Sequence, residues 1–197
     1  DGRNAAAVRV KDGNYSPRFT AVTVGQPLLI ENHDPVPFNF HLSAISNDAI
    51  NALMPPTSIK DPLRLTFRKS EKLPVSFRSD QAIWATGFLL VRDNPFVAIS
   101  QPDGSFSMPN LPPGEWEFRA WHERKGYVQH WPKGLFKHTI QPGENNLGTI
   151  KLKPEVFGQK SVAENVPPPQ NREQIGEVLG KPVYRDQVKA GGLQTLF

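Results

Sequence analysis

Cysteine is absent from all 197 residues of the chain. That excludes a disulfide, a thiolate metal ligand and a thiol nucleophile together. It leaves the compartment open, because a cysteine-free chain suits an oxidising space and a reducing one alike. No apolar run approaches the ~20 residues of a membrane-spanning helix, so no transmembrane segment is expected. No block of like charge appears: 23 basic and 19 acidic residues give a net charge of +4, and the Lys and Arg are scattered. A nucleic-acid surface wants clustering, so that partner is not expected either. A glycine-rich phosphate loop is also missing. Ser100 and Ser105 stand in turns with no His at a diagnostic offset. Asp103 and Glu123 form an acid/base pair only if the fold brings them together. The expectation is a protein that is not an enzyme and carries no cofactor.

What the chain does have is punctuation. Twenty Pro and fifteen Gly predict many short elements joined by turns. From Ala5 to about Arg92 short β-type runs alternate with turn signals. Strands are predicted at Ala7–Val10, Phe19–Val24, Leu28–Glu31, Phe38–Leu42, Leu63–Phe67, Leu73–Phe77 and Trp84–Val91. The last has little polar interruption and reads as central in a sheet. Asp34-Pro35-Val36-Pro37 forces an extended loop. Ser46–Met54 reads as one or two helical turns ended by Pro55 and Pro56.

A second unit runs from Asn94 to Pro154. Phe96–Ser100 leads into the turn Gln101-Pro102-Asp103-Gly104, and Phe106 and Met108 alternate with Ser105 and Ser107. Glu115–Trp121 alternates along one strand, with Trp116, Phe118 and Ala120 on one side. Phe136–Ile140 and Leu147–Leu152 complete it. Beyond Glu155 the character changes to a Pro-rich linker at Val166–Gln170, a short helix at Arg172–Leu179 and a docking tail. Within that tail, Lys181–Arg185 suits strand addition to a sheet edge. The domains are therefore predicted as 1–93, 94–154 and 155–197. The fold class is all-β: a Greek-key β-sandwich, a second smaller β-sandwich and an extended C-terminal tail.

The segments Val22–Gln26, Leu28–Asn32, Asp34–Asn39 and Pro74–Trp84 resemble the plastocyanin/azurin-like cupredoxins. Asp103–Phe106, Leu111–Gly114 and Trp121–Glu123 resemble a carboxypeptidase-regulatory-like β-sandwich. The cupredoxin resemblance implies four copper positions. They fall on Phe38, Ser79, Ala82 and Ala85, where the family carries His, Cys, His and Met. A blue-copper site depends on one thiolate and two imidazoles with a weak axial thioether. None of those side chains is present, so no metal is expected there.

Five His remain: His33, His41, His122, His130 and His138. Another metal site would need three or four ligands to converge. His41 is read as a hydrogen-bonded strand residue near the rim of the vacated positions. His122 and His130 flank an aromatic-rich loop. In it Trp121, His122, Tyr127, His130 and Trp131 form the candidate recognition surface. Its rings suit sugar stacking or protein contacts. The preferred alternative is that they form an apolar seam between two small β-units.

The function expected is that of an exported accessory or structural subunit binding a protein partner or a larger assembly. The alternatives are binding of a cell-surface glycan through Trp121–Trp131, and electron transfer by copper in a non-standard set including His41. The resemblance implies a periplasmic or extracellular location. The chain opens on Asp1-Gly2-Arg3-Asn4, which reads as a mature form with its signal peptide removed.

Overall fold

The computed structural model describes residues 4–152 and Thr195–Leu196. Among these residues the protein is all-β, and its one helical element is a 3₁₀ turn at Pro132–Gly134. They fall into two compact units, divided after Pro95, with Thr195–Leu196 in the second. The predicted linker at Val166–Gln170, helix at Arg172–Leu179 and strand at Lys181–Arg185 lie outside the described residues.

The first unit contains nine strands: β1 (Ala6–Lys11), β2 (Asn14–Ser16), β3 (Phe19–Thr23), β4 (Pro27–Asn32), β5 (Phe38–Leu42), β6 (Ile50–Met54), β7 (Leu63–Thr66), β8 (Val75–Arg78) and β9 (Thr86–Arg92). They form two sheets, in the orders β2-β1-β4-β7 and β3-β9-β8-β5-β6. The chain crosses repeatedly from one sheet to the other, which gives a sandwich. Two pairs are parallel, β1 with β4 and β3 with β9.

Period-two patterning builds these strands. Val8 and Val10 on β1 point inward while Arg9 and Lys11 point out. Phe38, Phe40 and Leu42 are buried on β5, with Asn39 and His41 on the outer face. Valines and leucines of the four-stranded sheet meet phenylalanines of the five-stranded sheet in one core. Phe40 and Phe77 are fully buried with ring centroids 5.2 Å apart. Tyr15 stands edge-on to Phe38, Phe40 and Phe77 at 5.5, 5.9 and 5.0 Å. Gly87 on β9 lies opposite Phe77 and leaves room for its ring. β9 is paired on both sides, as its apolar run predicted.

Two buried carboxylates organise the loops. Asp34 accepts the N–H groups of Asp12 and Gly13, both at 2.8 Å, and its carbonyl accepts that of Thr57 at 3.0 Å. This gathers the β1–β2, β4–β5 and β6–β7 loops at one end. Glu71 does the same at the other. It accepts the N–H groups of Ile45, Ser46 and Asn47 at 3.3, 2.9 and 3.2 Å, and the Asn47 side-chain amide at 2.9 Å.

Two local expectations change. Ser46–Met54 is not helical: it is a loop followed by β6, because Ile50–Met54 pairs residue by residue with Leu42–Phe38. β2 is an addition, a three-residue return strand after the turn at Asp12-Gly13. In the second unit β10 (Gly114–Phe118) pairs with β13 (Phe136–Ile140), and β11 (Trp121–His122) pairs with β12 (Gly126–Tyr127) and β14 (Thr195–Leu196). The predicted strand Glu115–Trp121 is thus broken between Phe118 and Trp121. Phe96–Ser100 contributes one bridge, at Ile99, and Phe106–Met108 and Leu147–Leu152 are not strands.

Candidate functional site

The four predicted copper positions sit on β5 and the β8–β9 loop. Their relative exposures are 3% for Phe38, 1% for Ser79, 0% for Ala82 and 1% for Ala85. The loop folds on itself. The Ser79 N–H donates to the Ala85 carbonyl at 3.0 Å, and the Ala85 N–H to the Ala82 carbonyl at 2.8 Å. The Ser79 hydroxyl accepts the N–H groups of Gln81 and Ala82 at 3.3 and 3.1 Å. Trp84 donates its indole N–H to the Gly13 carbonyl at 3.1 Å, tying the loop to the β1–β2 turn. Phe38, Ala82 and Ala85 belong to the hydrophobic core.

These residues do not fit copper. Three offer only hydrocarbon, and the fourth offers a neutral hydroxyl already engaged by two backbone donors. The resemblance put its four positions here, and all four are buried. What it did not reveal is that the loop is a self-satisfied turn packed into core. Its exposed apolar member is Ile83, at 61%.

Outside the core, at the same edge, lies a polar network that the sequence did not announce. Asp80 accepts from His41 Nδ1 at 2.8 Å, from Arg78 Nε at 3.1 Å and from Asn51 Nδ2 at 3.3 Å. Its own N–H donates to Asn39 Oδ1 at 2.8 Å, and the Asn39 amide donates to Asn51 at 2.7 Å. The hydrogen bond from His41, then that from Arg78, holds the Asp80 carboxyl below the ordinary carboxylate value. Behind it the Tyr15 hydroxyl donates to the Asn39 carbonyl. Burial, and secondarily Asp80, pushes that phenol far above its usual value. The available signal was the outward alternation of Asn39 and His41 on β5. Nothing local ties Asp80 to a residue 39 positions earlier.

The five His are dispersed. His33 pairs with Glu31 at 2.9 Å and His41 with Asp80. His138 stacks on Phe136 with centroids 5.9 Å apart. His130 lies edge-on to Trp131 at 5.2 Å. His122 is buried and accepts the Arg124 N–H at 3.2 Å. No group of three or more His, Cys, Asp or Glu among the described residues is placed to hold a metal ion.

The predicted recognition surface divides. Trp121 and His122 point inward, 5% and 3% exposed. Tyr127 is half-buried under the Arg119 guanidinium, 5.3 Å from its ring centre. Trp131 is half-buried against Phe136 at 5.5 Å, and His130 is exposed. The five residues therefore do not present one stacking face.

Neither a protein-family model nor a curated protein matches the chain. Solved structures similar to it include a copper(I) form of an amicyanin variant. That match has 21% identity over 47% of this chain and 84% of that one, with a TM-score of 0.39. A purple cupredoxin from Nitrosopumilus maritimus is similar at 19% identity over 44% of this chain and 98% of that one, with a TM-score of 0.35. The all-β assignment rests on the strand pairing and the core described above. No helix among the described residues is long and apolar enough to cross a membrane.

Proposed function

We propose that the chain is a non-enzymatic, exported accessory or structural subunit that binds a protein partner, built on a cupredoxin-like unit whose copper positions have become core. One observation carries the reading: Phe38, Ser79, Ala82 and Ala85 are all buried, and the one polar side chain among them is spent on its own turn. A loop stabilised in this way positions surface residues instead of redox chemistry. The smaller unit, read as carboxypeptidase-regulatory-like, belongs to the same proposal, supported by the antiparallel β10–β13 pair. Electron transfer and glycan stacking are weaker readings. His41 is committed to Asp80, and Trp121 faces inward.

Two measurements test this. Protein purified without chelator and offered copper(II) is expected to retain no stoichiometric copper and to stay colourless; stoichiometric copper overturns the reading. The native protein is expected to elute in a complex of fixed stoichiometry, and a monomer throughout counts against it. The equivalence of the positions has its own check. Phe38→His, Ser79→Cys, Ala82→His and Ala85→Met combined supply the thiolate, imidazoles and thioether of a blue site. That variant is expected to turn blue with copper, and a colourless one means the positions are not equivalent.

A further inference from the structure

The end of the first unit held by Glu71 presents apolar side chains to water. Ile45, in the β5–β6 loop, is 71% exposed, and Leu73, in the β7–β8 loop, is 42% exposed. Arg68, Lys69 and Lys72 are exposed on the β7–β8 loop. The two loops are bonded together. Asn47 Oδ1 accepts the N–H groups of Arg68 and Lys69 at 3.0 and 3.1 Å, and the Asn47 amide donates to the Lys69 carbonyl at 2.8 Å. The Ile45 N–H donates to Glu71, two residues before Leu73. Apolar side chains and cations therefore share one end of the unit. The exposed acid on these loops is Asp48, because Glu71 is 1% exposed and its charge is met by N–H donors. Just past β9, Arg92 and Asp93 offset one another.

An aliphatic side chain left so exposed forgoes the free energy of burial. Here the backbone beneath it is pinned, so Ile45 is held out in water. The pinning also bears on what can cover it. The N–H groups of Ile45, Ser46, Asn47, Arg68 and Lys69 are all spent on Glu71 and Asn47. They are not available to acceptors of a protein partner. Nor are these donors stranded when the tip leaves water, which is the condition for entering a lipid layer. Aliphatic side chains beside Lys and Arg combine the two contributions that peripheral contact with an anionic bilayer needs.

We propose that this end is a membrane-surface contact. Ile45 and Leu73 enter the interface of a bilayer rich in anionic lipid, and Arg68, Lys69 and Lys72 lie against its headgroups. The contact is independent of the partner-binding reading and lies at the opposite end of the unit from the four predicted copper positions.

The full chain is mixed with vesicles of equal parts phosphatidylglycerol and phosphatidylcholine, and with vesicles of phosphatidylcholine alone. Co-sedimentation is expected with the first only, and is expected to fall as salt is raised. Ile45→Ser is expected to weaken it about tenfold, the share of one buried aliphatic side chain. Lys69→Gln is expected to weaken it about fivefold, the share of one cation at the surface. Ile83→Ser, at the other end and 61% exposed in the wild type, is expected to change nothing. All three positions are exposed, so an unchanged urea midpoint confirms that each variant is folded. Because the chain has no Cys, Ile45→Cys accepts a single environment-sensitive dye. Its emission is expected to shift to the blue on anionic vesicles, while the same dye on Ile83→Cys stays unshifted. No sedimentation with anionic vesicles overturns the proposal, and so does equal binding to neutral ones. Binding that Ile45→Ser leaves unchanged, or that leaves the dye at position 45 unshifted, is adsorption by charge alone and overturns it as well. Soluble polyaspartate that binds as tightly as the vesicles and shifts the dye equally assigns this end to an acidic protein instead.

Discussion

At the scale of single residues, Gly87 has no room for a side chain. A Cβ built there would overlap the Phe77 ring and lie 2.9 Å from the Arg18 carbonyl. Phe77 is fully buried and edge-on to Tyr15, so it has no space to withdraw. Gly87→Ala is expected to cost about 1–3 kcal/mol by overpacking. A lowered urea midpoint with an unchanged slope would show it; an unchanged midpoint would mean the core yields. Asp80 governs a different quantity. A carboxyl held below its ordinary value of 3.8 stabilises the fold above that value. The contribution fades as pH falls through the lowered value. Asp80→Asn is therefore expected to be less stable than wild type at neutral pH, with the gap closing below pH 3.8. The pair is exposed, so solvent screens it and the gap is small. Parallel unfolding curves at the two pH values check the sign, and a gap that widens in acid contradicts it.

At the scale of elements, the Glu71 clamp fixes the loop between β5 and β6. Four N–H donors converge on one buried carboxylate. Glu71→Gln turns part of that acceptor into a donor facing donors, at a cost of about 1–3 kcal/mol. The amides of Ile45, Ser46 and Asn47 are expected to exchange faster, while those of β9 keep their protection in the folded protein. Uniform acceleration would mean the clamp is not local. This element was illegible in the sequence, where Glu71 stands between Ser70 and Lys72 as an ordinary surface residue would. β6 was hidden for a related reason. Its local sequence, Ile50-Asn51-Ala52-Leu53-Met54, carries a weak pattern, and pairing with β5 decides its state. By contrast Val8/Val10, Phe38/Phe40/Leu42 and Val75/Phe77 alternate strictly, and those strands were readable. The turn at Asp12-Gly13 was readable as a stop, but not as a hairpin with its own return strand.

At the scale of the molecule, two β units, the first a nine-stranded sandwich, follow from that alternation and from the density of turns. The missing Cys was legible because it is a property of the sequence itself. The Asp80 network and the β11–β14 pair were not, because both join residues that only the folded chain brings together. Such joining has a further consequence, in time. β3 closes the five-stranded sheet by lying parallel to β9, Phe19 beside Phe88. No hairpin delivers that pair. β3 must wait, unpaired along one edge of its future sheet, until β9 has arrived. Folding ruled by such distant contacts is slow, in the millisecond-to-second range typical of β-sandwiches. Pulse-labelled refolding is expected to protect β3 and β9 in the same step, after the β5–β6 hairpin. Early protection of β3 alone would refute this order. A chain whose five-stranded sheet closes so late stays open to capture by chaperones until β9 has emerged.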